Sequence, residues 1–115
     1  MDVCQEKCIH EDVVERVAER MPDPDVIQDA ADIFKALSEP GRLKIVTALL
    51  HSELCVCDLA VVCNISESAA SHHLRPLRNL RIVRNRRDGK VVYYRLDDDP
   101  IGDLIKNCIK HAGIC

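Results

Sequence analysis

Residues 11–20 (EDVVERVAER) set Val13, Val14 and Val17 at helical spacing against charged residues, predicting a short amphipathic helix. The prolines of MPDPD (21–25) break it, because each also restricts the residue before it. Residues 25–38 then predict a second helix, with Val26, Ile27, Ala30, Ile33, Phe34 and Leu37 as its buried stripe. Pro40 opens a third, in which Leu43, Ile45, Val46, Leu49 and Leu50 are mostly core and which HSE (51–53) ends. A short helix runs from Cys57 to about Cys63, with Leu59, Ala60 and Val62 apolar. NIS (64–66) is a turn, and Ser66 is a good N-cap for a helix over roughly 67–79. In RIVRNRRDGKVVYYRL (81–96) the period changes to that of strands. Two β-rich runs flank Asp88-Gly89, a strong hairpin signal. A final amphipathic helix starts near Pro100, with Ile101, Leu104, Ile105, Cys108 and Ile109 along one side.

At 115 residues this is one domain with a single core. One Phe, two Tyr and no Trp make that core aliphatic. No apolar run approaches the ~18 residues of a membrane span. The opening MDVCQEKCIHEDVVERV lacks the basic-then-apolar order of a secretory signal, so a cytoplasmic protein is expected. Net charge is −3, which taken alone speaks against a polyanion. Its distribution reverses that reading. Residues 66–95 hold eight basic side chains against two acidic ones, a local +6, so the remainder carries −9. One face suits a polyanion and the other is kept off it.

Helix, three-residue turn, helix and basic hairpin, in that order, describe a mainly α winged helix-turn-helix with a β-hairpin wing. In such a motif the second helix enters the major groove and the hairpin reaches an adjacent groove or the backbone. Ser68, Ser71, His72, His73, Arg75 and Arg78 of the second helix are the expected DNA contacts. Ala69, Ala70, Leu74 and Leu77 face inward. Arg84, Arg86, Arg87 and Lys90 of the hairpin are expected at phosphates or the minor groove, where they set affinity and salt dependence more than sequence choice. A solvated basic surface with a plain structural ribbon is the bland alternative; motif order, small polar helix start and local charge together outweigh it. His72 and His73 are adjacent on a helix and do not converge on one ion.

Seven cysteines need a reason, because a reducing cytoplasm disfavours structural disulfides and an odd count excludes a fully paired framework. Cys63 and Cys108 read as small buried apolar residues. ELCVCDL (53–59) is different. On a continuous helix, residues two apart point about 200° from each other. Both thiols can reach one ion only if Cys55 lies in the turn and Cys57 in the first helical turn. There the helix dipole is expected to lower the thiol pKa. Asp58, in the same turn, either caps the helix or ligates. Four soft ligands make a tetrahedral site, so two more are needed. CQEKC provides Cys4 and Cys8 at i, i+4, stacked on one face if helical, with His10 nearby. No apolar residue before position 9 anchors this arm strongly to a core.

FKALSEPGRLKIVTAL, ELCVCDLA and ISESAASHHLRPLRNLRIVRNRRDGKVVYYRL together resemble the ArsR/SmtB family of bacterial metal-responsive repressors, over about residues 30–96. The resemblance implies a homodimer, with first and last helices at the interface, whose grip on a pseudo-palindromic operator weakens when metal binds. It implies a thiolate-rich site joining the N-terminal arm to the Cys-x-Cys helix, usually across the dimer. By position its ligands are Cys4, Cys8, Cys55 and Cys57, with His10 and Asp58 as further candidates. Segments follow accordingly: a metal-binding arm and first helix (1–24), a DNA-binding core (25–96, wing 81–96) and a dimerisation helix (97–115). Thiolates select Cd(II), Pb(II) or Zn(II) over hard ions. The arsenic-responsive branch carries a third cysteine where Ala60 stands. The family's C-terminal site keeps Asp98 and His111 here, but Pro100 and Ile114 replace its other two ligands; Cys115 is a partial substitute.

The expected function is therefore a metal-sensing transcriptional repressor that binds double-stranded operator DNA, and not an enzyme. Neither a membrane nor an organic small-molecule substrate is expected as a partner. Two rivals stay open: a constitutive DNA-binding protein with structural zinc, and a thiol redox-responsive regulator. A Cys-x-Cys pair lacks the usual Cys-x-x-Cys redox spacing, and no general base or Gly-rich cofactor fingerprint accompanies it.

Overall fold

The structure, a computed structural model, describes residues 8–114. Its elements are α1 (Glu11–Arg20), α2 (Pro24–Leu37), α3 (Pro40–Leu49), β1 (Leu54–Cys55), α4 (Val56–Cys63), α5 (Glu67–Asn79), β2 (Val83–Asp88), β3 (Val91–Leu96) and α6 (Asp99–Ala112). Compact packing divides the chain after Ala30, partway along α2.

In the first unit, α1 carries Glu11 and Asp12 in its first turn and Arg20 in its last, each matched to the helix dipole. None of its residues is buried, and Val13, Val14 and Val17 are exposed. Val26 and Ile27 of α2 are exposed as well, contrary to the buried stripe expected there.

In the second unit, Ile45, Val46 and Leu49 of α3, Leu59 and Cys63 of α4, Leu74 and Leu77 of α5, Ile82 of the loop after it, Val83 of β2 and Ile105 of α6 form one aliphatic core, with Ala36 of α2 at its edge. Phe34, predicted to belong to the α2 stripe, is 59% exposed. Arg42 donates from Nε to the Ala36 carbonyl at 2.7 Å, which satisfies one of the acceptors that a helix end leaves unpaired. Cys63 is buried as expected; Cys108 is exposed, a correction, because it lies beyond Ile105, the one buried residue of α6.

Both ends of the helix-turn-helix follow from backbone hydrogen bonding. α4 stops at Asn64, which takes the left-handed conformation (φ 55°) while the amides of Ile65 and Asn64 donate back to Ala60 and Val61. That is the Schellman arrangement, and Asn tolerates it well. Ser66 then caps α5 by accepting from the Ala69 amide at 3.0 Å. α5 closes the same way: Ile82 and Arg81 donate to Leu77 and Arg78. Here the left-handed position belongs to Arg81 (φ 58°), a residue type that enters this region only at some cost. Pro76 sits inside α5 and has no N–H to give the His72 carbonyl.

The hairpin is tighter than its sequence suggests. Asp88 pairs with Val91 as the last strand residue, so the two turn residues are Gly89 and Lys90, not Asp88 and Gly89. Gly89 has φ +65° and Lys90 does not share the positive φ, the pattern of a type II′ turn with glycine first. A third strand joins the pair. β1 runs antiparallel to β3, with Leu54 opposite Tyr94 and Cys55 opposite Tyr93, and the sheet order is β1-β3-β2. The fold of this unit is a winged helix-turn-helix, α4 and α5 being the paired helices and β2–β3 the wing.

Candidate functional site: a basic reading face and a thiol pair

The outer face of α5 is laid down by helical spacing. Ala70, Leu74 and Leu77 point into the core, which leaves Ser68, Ser71, His72, Arg75 and Arg78 exposed on the opposite side. Ser71, Arg75, Arg78 and Asn79 line a polar cleft of about 380 Å³ against Tyr94 of the wing. Arg87 and Lys90 are exposed at the wing tip.

Three of the expected DNA contacts have protein partners in this structure. His73 turns inward towards α3. Its side chain is 20% exposed, and Nδ1 lies 3.5 Å from Glu39 Oε2, an ion-pair distance without hydrogen-bond alignment. A methyl group on Gly41 would lie 2.6 Å from His73 Nε2, so glycine is what admits the ring. Glu39 caps α3 by accepting from the Arg42 amide at 3.0 Å, and the Gly41 and Arg42 amides hold its carboxyl below the usual range. Arg84 donates from Nε to Asp97 at 2.9 Å. Arg86 forms a two-pronged pair with Glu53 and lies over the Tyr93 ring, 4.8 Å from its centroid. Those partners lie 13 and 33 residues away in sequence, where no local pattern reveals them.

Cys55 and Cys57 are arranged as the two-residue spacing requires. Cys55 is the N-cap of α4 with extended backbone (φ −86°, ψ 172°), and Cys57 is the second helical residue. Asp58 accepts from the Cys55 amide at 3.4 Å, the capping role weighed against ligation. The Cys57 thiol donates to Glu67 Oε1 at 2.6 Å, across to the first residue of α5. This corrects the expected thiol acidity. Glu67 accepts the S–H and places a negative charge beside the sulfur, which, with burial and Cys55, pushes Cys57 up to about 11. One adjacent carboxylate thus outweighs the helix dipole. Glu67 was absent from the sequence-derived site; nothing in its local pattern marks it, since it lies ten residues from Cys57.

Two neighbouring thiols are a soft donor set, which suits a thiophilic ion. Among the described residues they have no third His, Cys, Asp or Glu grouped with them as a metal cluster. Cys8 and His10 are exposed, and Cys4 lies outside the described residues. Asp98 caps α6 by accepting from Ile101 at 3.0 Å, while His111 sits in that helix's last turn. They are therefore separated by most of a 14-residue helix; Cys115 lies outside the described residues. No described helix is long and apolar enough to cross a membrane.

Known proteins resemble this chain in sequence and in fold. The family model for bacterial regulatory proteins of the arsR family matches residues 39–85, from the α3 cap to the middle of β2. A cadmium resistance transcriptional regulatory protein CadC homolog from Staphylococcus aureus is 44% identical over 96% of this chain and 91% of its own length. A transcriptional repressor SmtB homolog from Synechocystis sp. is 41% identical over 96% and 84%. Among solved structures, the transcriptional repressor BigR from Xylella fastidiosa superposes with a TM-score of 0.67 at 29% identity, covering 94% of this chain and 98% of its own. A homodimeric winged helix-turn-helix DNA-binding domain from Mycobacterium bovis gives 0.74 at 26%, covering 82% and 89%. With the helix-turn-helix, the basic outer face of α5 and relatives of this similarity over nearly the whole chain, the protein belongs to the arsR family of bacterial regulatory proteins.

Proposed function

We propose that the protein is a metal-sensing transcriptional repressor: a homodimer that holds operator DNA with α5 and the wing tip and releases it when a soft divalent cation, Cd(II), Pb(II) or Zn(II), occupies the thiols. The observation that carries the reading is Cys55 and Cys57 side by side at the start of the helix preceding α5, with Cys57 hydrogen-bonded to α5 itself. The names of the cadmium-resistance and SmtB relatives support it. When bound, the cation supplies a charge that favours thiolate over thiol.

The remaining ligands in this proposal are Cys4 and Cys8 from the arm of the second copy. The exposed apolar positions of α1 (Val13, Val14, Val17), α2 (Val26, Ile27, Phe34) and α6 (Ile109) are what a homodimer would cover. Ser68, Ser71, His72 and Arg75 read base edges and nearby phosphates; Arg78, Arg87 and Lys90 hold the backbone. Asp58 keeps its capping role.

Cd(II) titrated into the protein–duplex complex, followed by anisotropy, tests the reading. Affinity is expected to fall by about 5–150-fold, the usual span of coupling between two sites. Unchanged affinity, with sulfur-to-Cd(II) absorption showing the site full, would refute the sensor and leave DNA binding intact. Cys4→Ser and Cys55→Ser each abolish the response if the thiolates act together.

A further inference from the structure

One side-chain hydrogen bond joins the thiol pair to the helix that reads DNA. Cys57 is the second residue of α4, and Glu67, its acceptor at 2.6 Å, is the first of α5. The fold does not need Glu67 for that helix to start, because Ser66 already caps it through the Ala69 amide. Glu67 is exposed, so it fills no space in the core. What it does is place a carboxylate at the positive end of α5, where a DNA phosphate would also be favoured. Carboxylate and phosphate compete for the same end of the helix. In this structure the carboxylate is drawn aside, against α4, by the S–H of Cys57.

We propose that Glu67 is the positioning residue that couples the thiol pair to DNA affinity. While Cys57 is a thiol, its S–H holds the carboxylate against α4 and away from the phosphates. When Cys57 becomes a metal-bound thiolate, the proton leaves to solvent, a metal–sulfur bond replaces the S–H bond, and nothing is oxidised. The sulfur is then no longer a donor. A negative sulfur and a negative carboxylate repel one another, and Glu67 swings out over the N-terminus of α5, where it repels phosphate. The inference rests on the sensor reading and specifies its switch. Glu53, the carboxylate paired with Arg86 two residues before Cys55, offers no such route to α5.

The test uses the full chain, Glu67→Gln, Glu67→Asp and, as a charge control, Glu53→Gln. Each is titrated with Cd(II) on a duplex selected by the parent protein, with sulfur-to-Cd(II) absorption reporting occupancy. The parent and Glu53→Gln are expected to lose DNA affinity on loading. Glu67→Gln is expected to load with the same number of thiolates and to lose at least fivefold less affinity. Glu67→Asp, one methylene shorter, behaves like Gln. Independently of metal and DNA, alkylation of Cys57 at pH 8, read by peptide mass, is faster in Glu67→Gln than in the parent. If Glu67→Gln releases DNA as fully as the parent, or if Cys57 alkylates at the parent's rate, the inference is overturned while the sensor stands. A loaded parent that keeps its DNA sinks the sensor, and this inference with it.

Discussion

Gly41→Ala offers a sharp check on how α5 is seated against α3. Gly41 is the second residue of α3, where alanine is worth about 1 kcal/mol more than glycine by helix propensity alone. Steric contact opposes that gain. The added carbon would meet His73 Nε2 at 2.6 Å and Glu39 Oε2 at 2.9 Å. The carboxylate can rotate aside at the cost of a weaker cap. The ring cannot do so freely, because Nδ1 is buried against Glu39. Forcing an extra methyl into a filled site costs about 1–3 kcal/mol, so the substitution alone destabilises by up to about 2 kcal/mol once the propensity gain is subtracted. In a His73→Ala background the main obstacle is gone and the same change stabilises, by up to about 1 kcal/mol. The two substitutions therefore couple by about 1–3 kcal/mol. Urea unfolding of the four proteins of the cycle, at one protein concentration, measures this coupling. A Gly41→Ala effect of the same sign and size in both backgrounds would refute the claim that His73 packs on α3. A companion measurement follows: His73→Ala changes DNA affinity less than His72→Ala does.

Acid pH gives a second prediction. Glu39 and Glu53 are both held below the usual carboxylate pKa, by the Gly41 and Arg42 amides and by Arg86 respectively. Their contribution to stability is therefore fully present above the unfolded value near 4.5 and fades as pH falls through the lower folded value, so Glu39→Gln flattens the acid limb of a stability–pH curve. Arg81→Gly removes an unfavourable left-handed side chain worth about 1–2 kcal/mol and gives back about 0.5–1 in backbone entropy, for a net gain of up to about 1.5 kcal/mol in thermal unfolding. In salt titrations of DNA binding, Arg87→Ala and Lys90→Ala each reduce the slope by about one phosphate contact, whereas Arg86→Ala leaves the slope unchanged and lowers stability only slightly, through the lost contacts to Glu53 and Tyr93. Cadmium affinity rises with pH between 6 and 9, because Cys57, near 11, must give up its proton to bind.

α1, α2, α5 and α6 were legible as stretches of 3.6-residue periodicity, and α3, α5 and α6 also begin on a capping side chain, Glu39, Ser66 and Asp98 respectively. β1 was not, since two residues are too few to show alternation and their pairing with β3 is almost 40 positions away. Val26, Ile27 and Phe34 mark a limit of another kind. Periodicity announces that a helix has an apolar face and is silent about which surface covers it. The same reasoning separates the parts of the site. Reaching one ion from a two-residue spacing needs Cys55 outside the helix and Cys57 inside it, and the structure places them there. The electrostatic partners of Cys57, Arg84 and Arg86 belong to tertiary structure, and the thiol acidity inferred from the helix end was reversed by one such partner.

The position of Cys55 has a bearing on how its variants are interpreted. A residue at the head of a helix is best filled by an oxygen-bearing side chain such as serine, so replacing this sulfur with serine ought to leave α4 better anchored. Any loss of signalling in such a variant then reports the chemistry of sulfur alone. The chain retains a thiol where local folding would favour an alcohol.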